Sequence, residues 1–128
     1  MKIEYLASGS QDCPLVRLFD FAPAEVQRLR SEIFALASGT ARTVVVHELP
    51  GVESIGGCRL TFITDRRDRG IVHIAEPADF ECRLTPTSWD NVATLAEPFL
   101  EPSDGYYQWL NHAFGGDVGL LLSPSGEW

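Results

Sequence analysis

Lysine and arginine are missing from the last 45 residues of this 128-residue chain, since none follows Arg83. That stretch holds Asp90, Glu97, Glu101, Asp104, Asp117 and Glu127, whereas residues 1–83 balance 12 acids against 10 bases. A surface without cations cannot displace counterions from a phosphate backbone, and the formal charge of −8 for the whole chain argues against nucleic acid as a partner. Long apolar runs are missing too. Val44-Val45-Val46 and Leu120-Leu121-Leu122 are strand-sized, far below the ~20 residues of a membrane span. Glu4 stands where a signal peptide would begin its apolar run. The expectation is a cytoplasmic chain with no membrane contact. Cysteine is sparse: Cys13, Cys58 and Cys82 are odd in number and form no C-x-x-C, which fits free thiols in a reducing compartment. No P-loop, G-x-G-x-x-G, G-x-S-x-G, H-x-x-x-H or H-E-x-x-H occurs. The sequence therefore names no catalytic residue, no metal-ligand set and no cofactor.

What is present is a foldable chain. At 45% hydrophobic and 22% charged residues it has enough apolar surface to form a core, which excludes disorder as its main state, and its length suits a single globular domain over 1–128. Lys2 to Ala7 alternates as a strand, Ser8 to Pro14 is turn chemistry, and Leu15 to Asp20 is a second extended run. Pro23 opens a helix whose apolar positions Val26, Leu29, Ile33, Leu36 and Ala37 recur at helical spacing until Gly39. Ala41–Leu49 and Gly57–Thr64 read as strands. Asp65–Gly70 reads as a charged hairpin turn into Ile71–Ala75, and Phe80–Thr85 follows as the third strand of an antiparallel meander. A second helix starts from Thr87 or Ser88 and carries Trp89, Val92, Leu95, Ala96 and Phe99, with Pro98 disturbing its last turn. Tyr106–His112 and Val118–Leu122 close the list as strands around Gly115-Gly116-Asp117.

The expected class is α+β, an antiparallel sheet with two helices in the order β-β-α-β-β-β-β-α-β-β. The order divides near Asp68 into two β-β-α-β-β halves, 1–67 and 68–128. Sliding the chain on itself by 66 lays Arg17-Leu18 on Arg83-Leu84, and by 65 lays His47 on His112. On that reading the two helices lie side by side and the two histidines occupy equivalent places.

Three functional readings remain. The favoured one is a non-catalytic interaction module of the inhibitor, immunity or adaptor type. Its partner is another protein, of basic character, bound through an acidic and aromatic C-terminal face of Trp89, Tyr106, Tyr107, Trp109, Asp117 and Trp128. The second is a small enzyme or ligand-binding domain with a pocket near His47 and His112. The third is a metal site drawn from the cysteines and histidines; Cys58 and Cys82, however, share alternating strands with Leu60, Phe62, Phe80 and Leu84 and read as core. Arg66, Arg67 and Arg69 read as a solvated turn, because Asp65 and Asp68 interleave with them. Strand edges at Lys2–Ala7 and Val118–Leu122 would serve a homodimer.

Overall fold

A computed structural model of the chain describes residues 1–102, 105–110 and 118–128. Its first hairpin follows from alternation: β1 (Lys2–Leu6) and β2 (Leu15–Phe19) pair antiparallel and turn Ile3, Val16 and Leu18 into the core. Pro23 opens α1 (Pro23–Ser38), where its missing N–H costs nothing, and the Glu25 carboxylate reaches back to accept from the Ala22 N–H at 3.1 Å. Val26, Leu29, Ile33 and Leu36 form the buried stripe of α1, and Gly39 ends it at φ +82°, a conformation in which a side chain would be strained. There follow β3 (Thr43–Val45), a 3-10 turn at Val46–Glu48, the short β4 (Glu53–Ser54), β5 (Arg59–Thr64), β6 (Gly70–Ala75) and β7 (Asp79–Leu84). The chain closes with α2 (Pro86–Ala96), a 3-10 turn at Glu97–Leu100, β8 (Gln108–Trp109) and β9 (Gly119–Ser123). Among the described residues no helix is long and apolar enough to cross a membrane.

The class is α+β, but the strands form two mixed sheets rather than one antiparallel sheet. One has the order β4-β1-β2-β9-β8 and the other β3-β5-β7-β6. Pairs β1–β4, β2–β9 and β5–β7 are parallel. The inner faces, with Ile3, Val16, Leu18, Leu120 and Leu122 on one sheet and Leu60, Phe62, Phe80, Cys82 and Leu84 on the other, belong to one apolar core with the buried faces of both helices. Tyr5 of β1 links the sheets by packing on Phe80 and His73, at ring-centroid distances of 4.7 and 5.9 Å. His73 stacks on Phe80 at 4.6 Å while remaining exposed at the edge of the core. The helices lie side by side, tied by the Arg30 Nε–H donating to the Ala93 carbonyl at 2.8 Å.

The pairing registers relate the two sheets. Ile3 pairs with Leu18 as Ile71 pairs with Cys82; Leu18 runs beside Leu122 as Cys82 runs beside Phe62; Leu122 faces Gln108 as Phe62 faces Val44. In this order β8 and β9 join β1 and β2, while β3 and β5 join β6 and β7. Leu18 corresponds to Cys82, an offset of 64, and Pro23 to Pro86, an offset of 63. The registers lay Leu18 on Cys82 where the expected offset of 66 lays it on Leu84.

Four local expectations are also corrected. The meander is absent: β5 and β6 are separated by β7, because residues 65–69 cross the end of β7, with the Asp65 and Arg69 N–H groups donating to the carbonyls of Leu84 and Arg83. The second helix is capped by Thr85, whose Oγ1 accepts from the Ser88 N–H at 3.3 Å, since Pro86 fills the next position without an N–H to satisfy. It yields to a 3-10 turn at Glu97 because Pro98 has no N–H to continue the ladder. The expected open edges are covered in part: β4 pairs with Lys2 and Ile3 of β1, and β9 lies between β2 and β8. Among the described residues Tyr106–His112 contributes only Gln108–Trp109 to a strand.

Candidate recognition groove

The outer face of the β1-β2-β9-β8 sheet carries Glu4, Arg17, Leu121 and Trp109, brought side by side by the pairings Glu4↔Arg17, Arg17↔Leu121 and Leu121↔Trp109. Trp109 can lie over its neighbours only because position 119 is glycine. A methyl group there would come within 2.7 Å of Trp109 Cζ3 and 3.6 Å of Leu15 Cβ. Residues 124–128 then return along this face. The Asp20 N–H donates to the Pro124 carbonyl at 2.9 Å, and Arg17 Nη1 donates to the Gly126 carbonyl at 2.8 Å. Ser123 Oγ pins the return by donating to the Glu127 carbonyl and accepting from the Gly126 N–H. Trp128 Nε1–H reaches Asp12 Oδ2 at 3.1 Å. Leu15 and Leu121, though on the outer face, are fully buried under this cover.

The result is an open groove of about 820 Å³, lined by Ser10, Gln11, Asp12, Arg17, Tyr107, Trp109, Gly126, Glu127 and Trp128. Arg17 is its one cation and is already committed. Its Nε and Nη2 donate to Glu4 Oε1 at 3.0 and 2.6 Å, and its guanidinium lies 4.1 Å from the centre of the Phe19 ring. Asp12 and Glu127 remain at the rim, so the groove combines aromatic walls with uncompensated carboxylate. Ring faces and carboxylates in this arrangement are complementary to cationic and apolar groups.

Of the residues expected from sequence, Tyr107, Trp109 and Trp128 meet here. Tyr106 is exposed beside the groove-forming segment, its ring 5.4 Å from that of Phe99. Trp89 is a correction: it is fully buried, its ring 4.8 Å from Phe62, its Nε1–H donating to the Ile63 carbonyl at 3.1 Å. As the third helical residue after Pro86 it turns to the sheet, and no partner can reach it. Asp117, Asp104 and His112 lie outside the described residues. Sequence reading passed over Gln11, Asp12, Arg17 and Gly126. Asp12 was legible only as turn chemistry, and its meeting with Trp128 spans 116 positions.

The other candidates occupy packing positions. His47 sits in the 3-10 turn and not on a strand; its Nδ1 lies 3.0 Å from the Leu60 N and 3.2 Å from the Leu60 carbonyl, and its Nε2 is a buried atom without a hydrogen-bond partner. Cys58 and Cys82 are free and fully buried. Burial, with the carboxylates of Glu4 and Asp79 adding to it, pushes the Cys58 thiol up to about 12, and burial raises that of Cys82 as well. Among the described residues no three His, Cys, Asp or Glu side chains gather as a metal site. Comparison with protein-family models, with curated proteins and with solved structures finds no match.

Proposed function

We propose that the chain is a non-catalytic recognition module of the cytoplasm whose groove takes a segment of a partner protein presenting a lysine or arginine side chain. The observation that carries this reading is the convergence of Tyr107, Trp109 and Trp128 with Asp12 and Glu127 around an arginine whose charge Glu4 already answers. Aromatic faces flanked by carboxylates favour a cation by about 0.5–1 kcal/mol per exposed ring contact, and tryptophan and tyrosine dominate the energetics of protein interfaces. The base-free sequence after Arg83 supports it, since a field of one sign steers a basic partner toward this side and suppresses acidic ones. The free, buried thiols of Cys58 and Cys82 suit a reducing compartment.

The test is isothermal titration of the purified chain with a partner identified by affinity capture, alongside a short arginine-containing peptide and its citrulline analogue. Binding is expected to weaken by about tenfold in Trp109→Ala, the worth of one interface anchor. It should weaken with salt and fall again in Asp12→Asn. Unchanged affinity in both variants, at low and high salt, would refute the reading.

A further inference from the structure

The geometry points to a second, oppositely charged site: a groove at the end of the β3-β5-β7-β6 sheet that binds the phosphate group of a small molecule. Arg42 from just before β3, Arg83 from β7 and Arg66 from the loop crossing β7 line one groove of about 460 Å³ with Thr64, Asp65 and Pro86. In sequence the loop Asp65-Arg66-Arg67-Asp68-Arg69 is nearly self-neutralising. The fold undoes that balance in two steps. Asp68 is turned away to the start of α2, where Oδ1 accepts from the Thr85 N–H at 2.9 Å and Oδ2 from Ser88 Oγ at 2.8 Å. Arg42, 24 positions before Arg66 in the chain, is brought in from the other side.

The one carboxylate left at the groove is spent on its own loop. Asp65 Oδ1 accepts from the Arg66 N–H at 2.6 Å, and Oδ2 from Arg69 Nε at 3.2 Å and Arg83 Nη1 at 3.5 Å. Arg83 is further held by Glu81, at 2.9 Å from Nη2 and 3.0 Å from Nε. Its fork is thus fixed in place before any ligand arrives. Among the described residues the guanidiniums of Arg42 and Arg66 have no carboxylate partner. Two unanswered guanidiniums match a phosphate dianion better than a single carboxylate, and a planar fork can give two parallel hydrogen bonds to its oxygens. A volume of this size suits a small molecule, and three arginines in a chain of charge −8 do not make a nucleic-acid track.

The experiment is a backbone-amide NMR titration at constant ionic strength with inorganic phosphate, phenyl phosphate and acetate. Expected are saturable shifts at Thr64, Arg66 and Arg83 with both phosphates, and an affinity for acetate about tenfold lower. Arg42→Gln and Arg66→Gln should each weaken phosphate binding by about tenfold, the worth of one charge-assisted hydrogen bond. Arg28→Gln, on α1 with its guanidinium donating to the Pro50 carbonyl, should bind as the parent does. Shifts that do not saturate, that sodium chloride reproduces, or that persist unchanged in both Arg42→Gln and Arg66→Gln overturn the site.

Discussion

The outer faces of the two sheets occupy the same positions of the same strand frame and have opposite characters. Where one sheet has Leu15, Arg17, Gly119, Leu121 and Trp109, register equivalence gives the other Asp79, Glu81, Arg59, Thr61 and Val45. On the first, Leu15 and Leu121 are fully buried because Trp109 and the returning residues 124–128 cover them. On the second, Thr61 is half-buried and the middle strands carry charges paired as Arg59–Asp79 and Arg83–Glu81, beside the exposed Val72. The lesson is that backbone pairing sets where side chains can meet, while a few residues decide whether a face becomes an aromatic groove or an arginine surface. Opposite charge at the two ends also separates the two proposed ligands, a cationic side chain and a phosphate.

The comparison breaks most sharply under reciprocal exchange. Leu121→Thr removes apolar volume and buries a hydroxyl, and should cost about 2–4 kcal/mol in urea unfolding. Thr61→Leu at the equivalent place should stay within about 0.5 kcal/mol. If the two swaps cost the same, the cover over the first sheet contributes nothing. A smaller effect is expected one register step away. Gly119→Ala forces a methyl against Trp109 at 2.7 Å, which should cost about 1–3 kcal/mol and shift tryptophan fluorescence as the ring moves. Arg59→Ala, its counterpart, should leave both signals unchanged.

The two helix starts extend the contrast. α1 is closed by Glu25 from within, whereas α2 depends on Thr85 and on Asp68 from the loop before β6. Burial pushes the Asp68 carboxyl up, but hydrogen bonds from the Thr85 N–H and from the Ser88 and Thr85 side chains outweigh it and hold the group below its ordinary value. Its contribution is therefore fully present above the unfolded carboxylate range, near pH 4, and is lost as pH falls through the lower folded value. Asp68→Asn should destabilise by about 1 kcal/mol at neutral pH, and the gap between variant and parent should close in acid. A gap that persists unchanged at pH 2 would mean the charge plays no part. The smallest perturbation is chemical: a thiol reagent should modify Cys13 alone in the folded chain and reach Cys58 and Cys82 only in denaturant, read by mass spectrometry.

Much of the fold was legible residue by residue. Pro23 and Gly39 marked both ends of α1, and the alternation of Phe80, Cys82 and Leu84 marked the inner face of β7. The aromatic cluster of the groove was legible only as composition: Tyr107, Trp109 and Trp128 were named, but Trp89 was grouped with them although its spacing to Val92 and Ala96 already put it on the apolar face of α2, where the indole is fully buried. Arg66 is exposed, as its place in a charged turn suggests; that Asp68 binds the start of α2 and that Arg42 lines the same groove as Arg66 was not legible.

By itself the sequence determined which face of each element is apolar, where α1 stops, and that acid without base gathers after Arg83. These are local properties, set by spacing, turn chemistry and counting. Only the tertiary structure decided that β5 lies beside β7 and β9 beside β2, that Asp12 meets Trp128, and that Arg42 and Arg66 line one groove. Periodicity says that a side chain must be buried or exposed but carries no label for its neighbour. Pairing between distant segments is selected by the packing of the whole core.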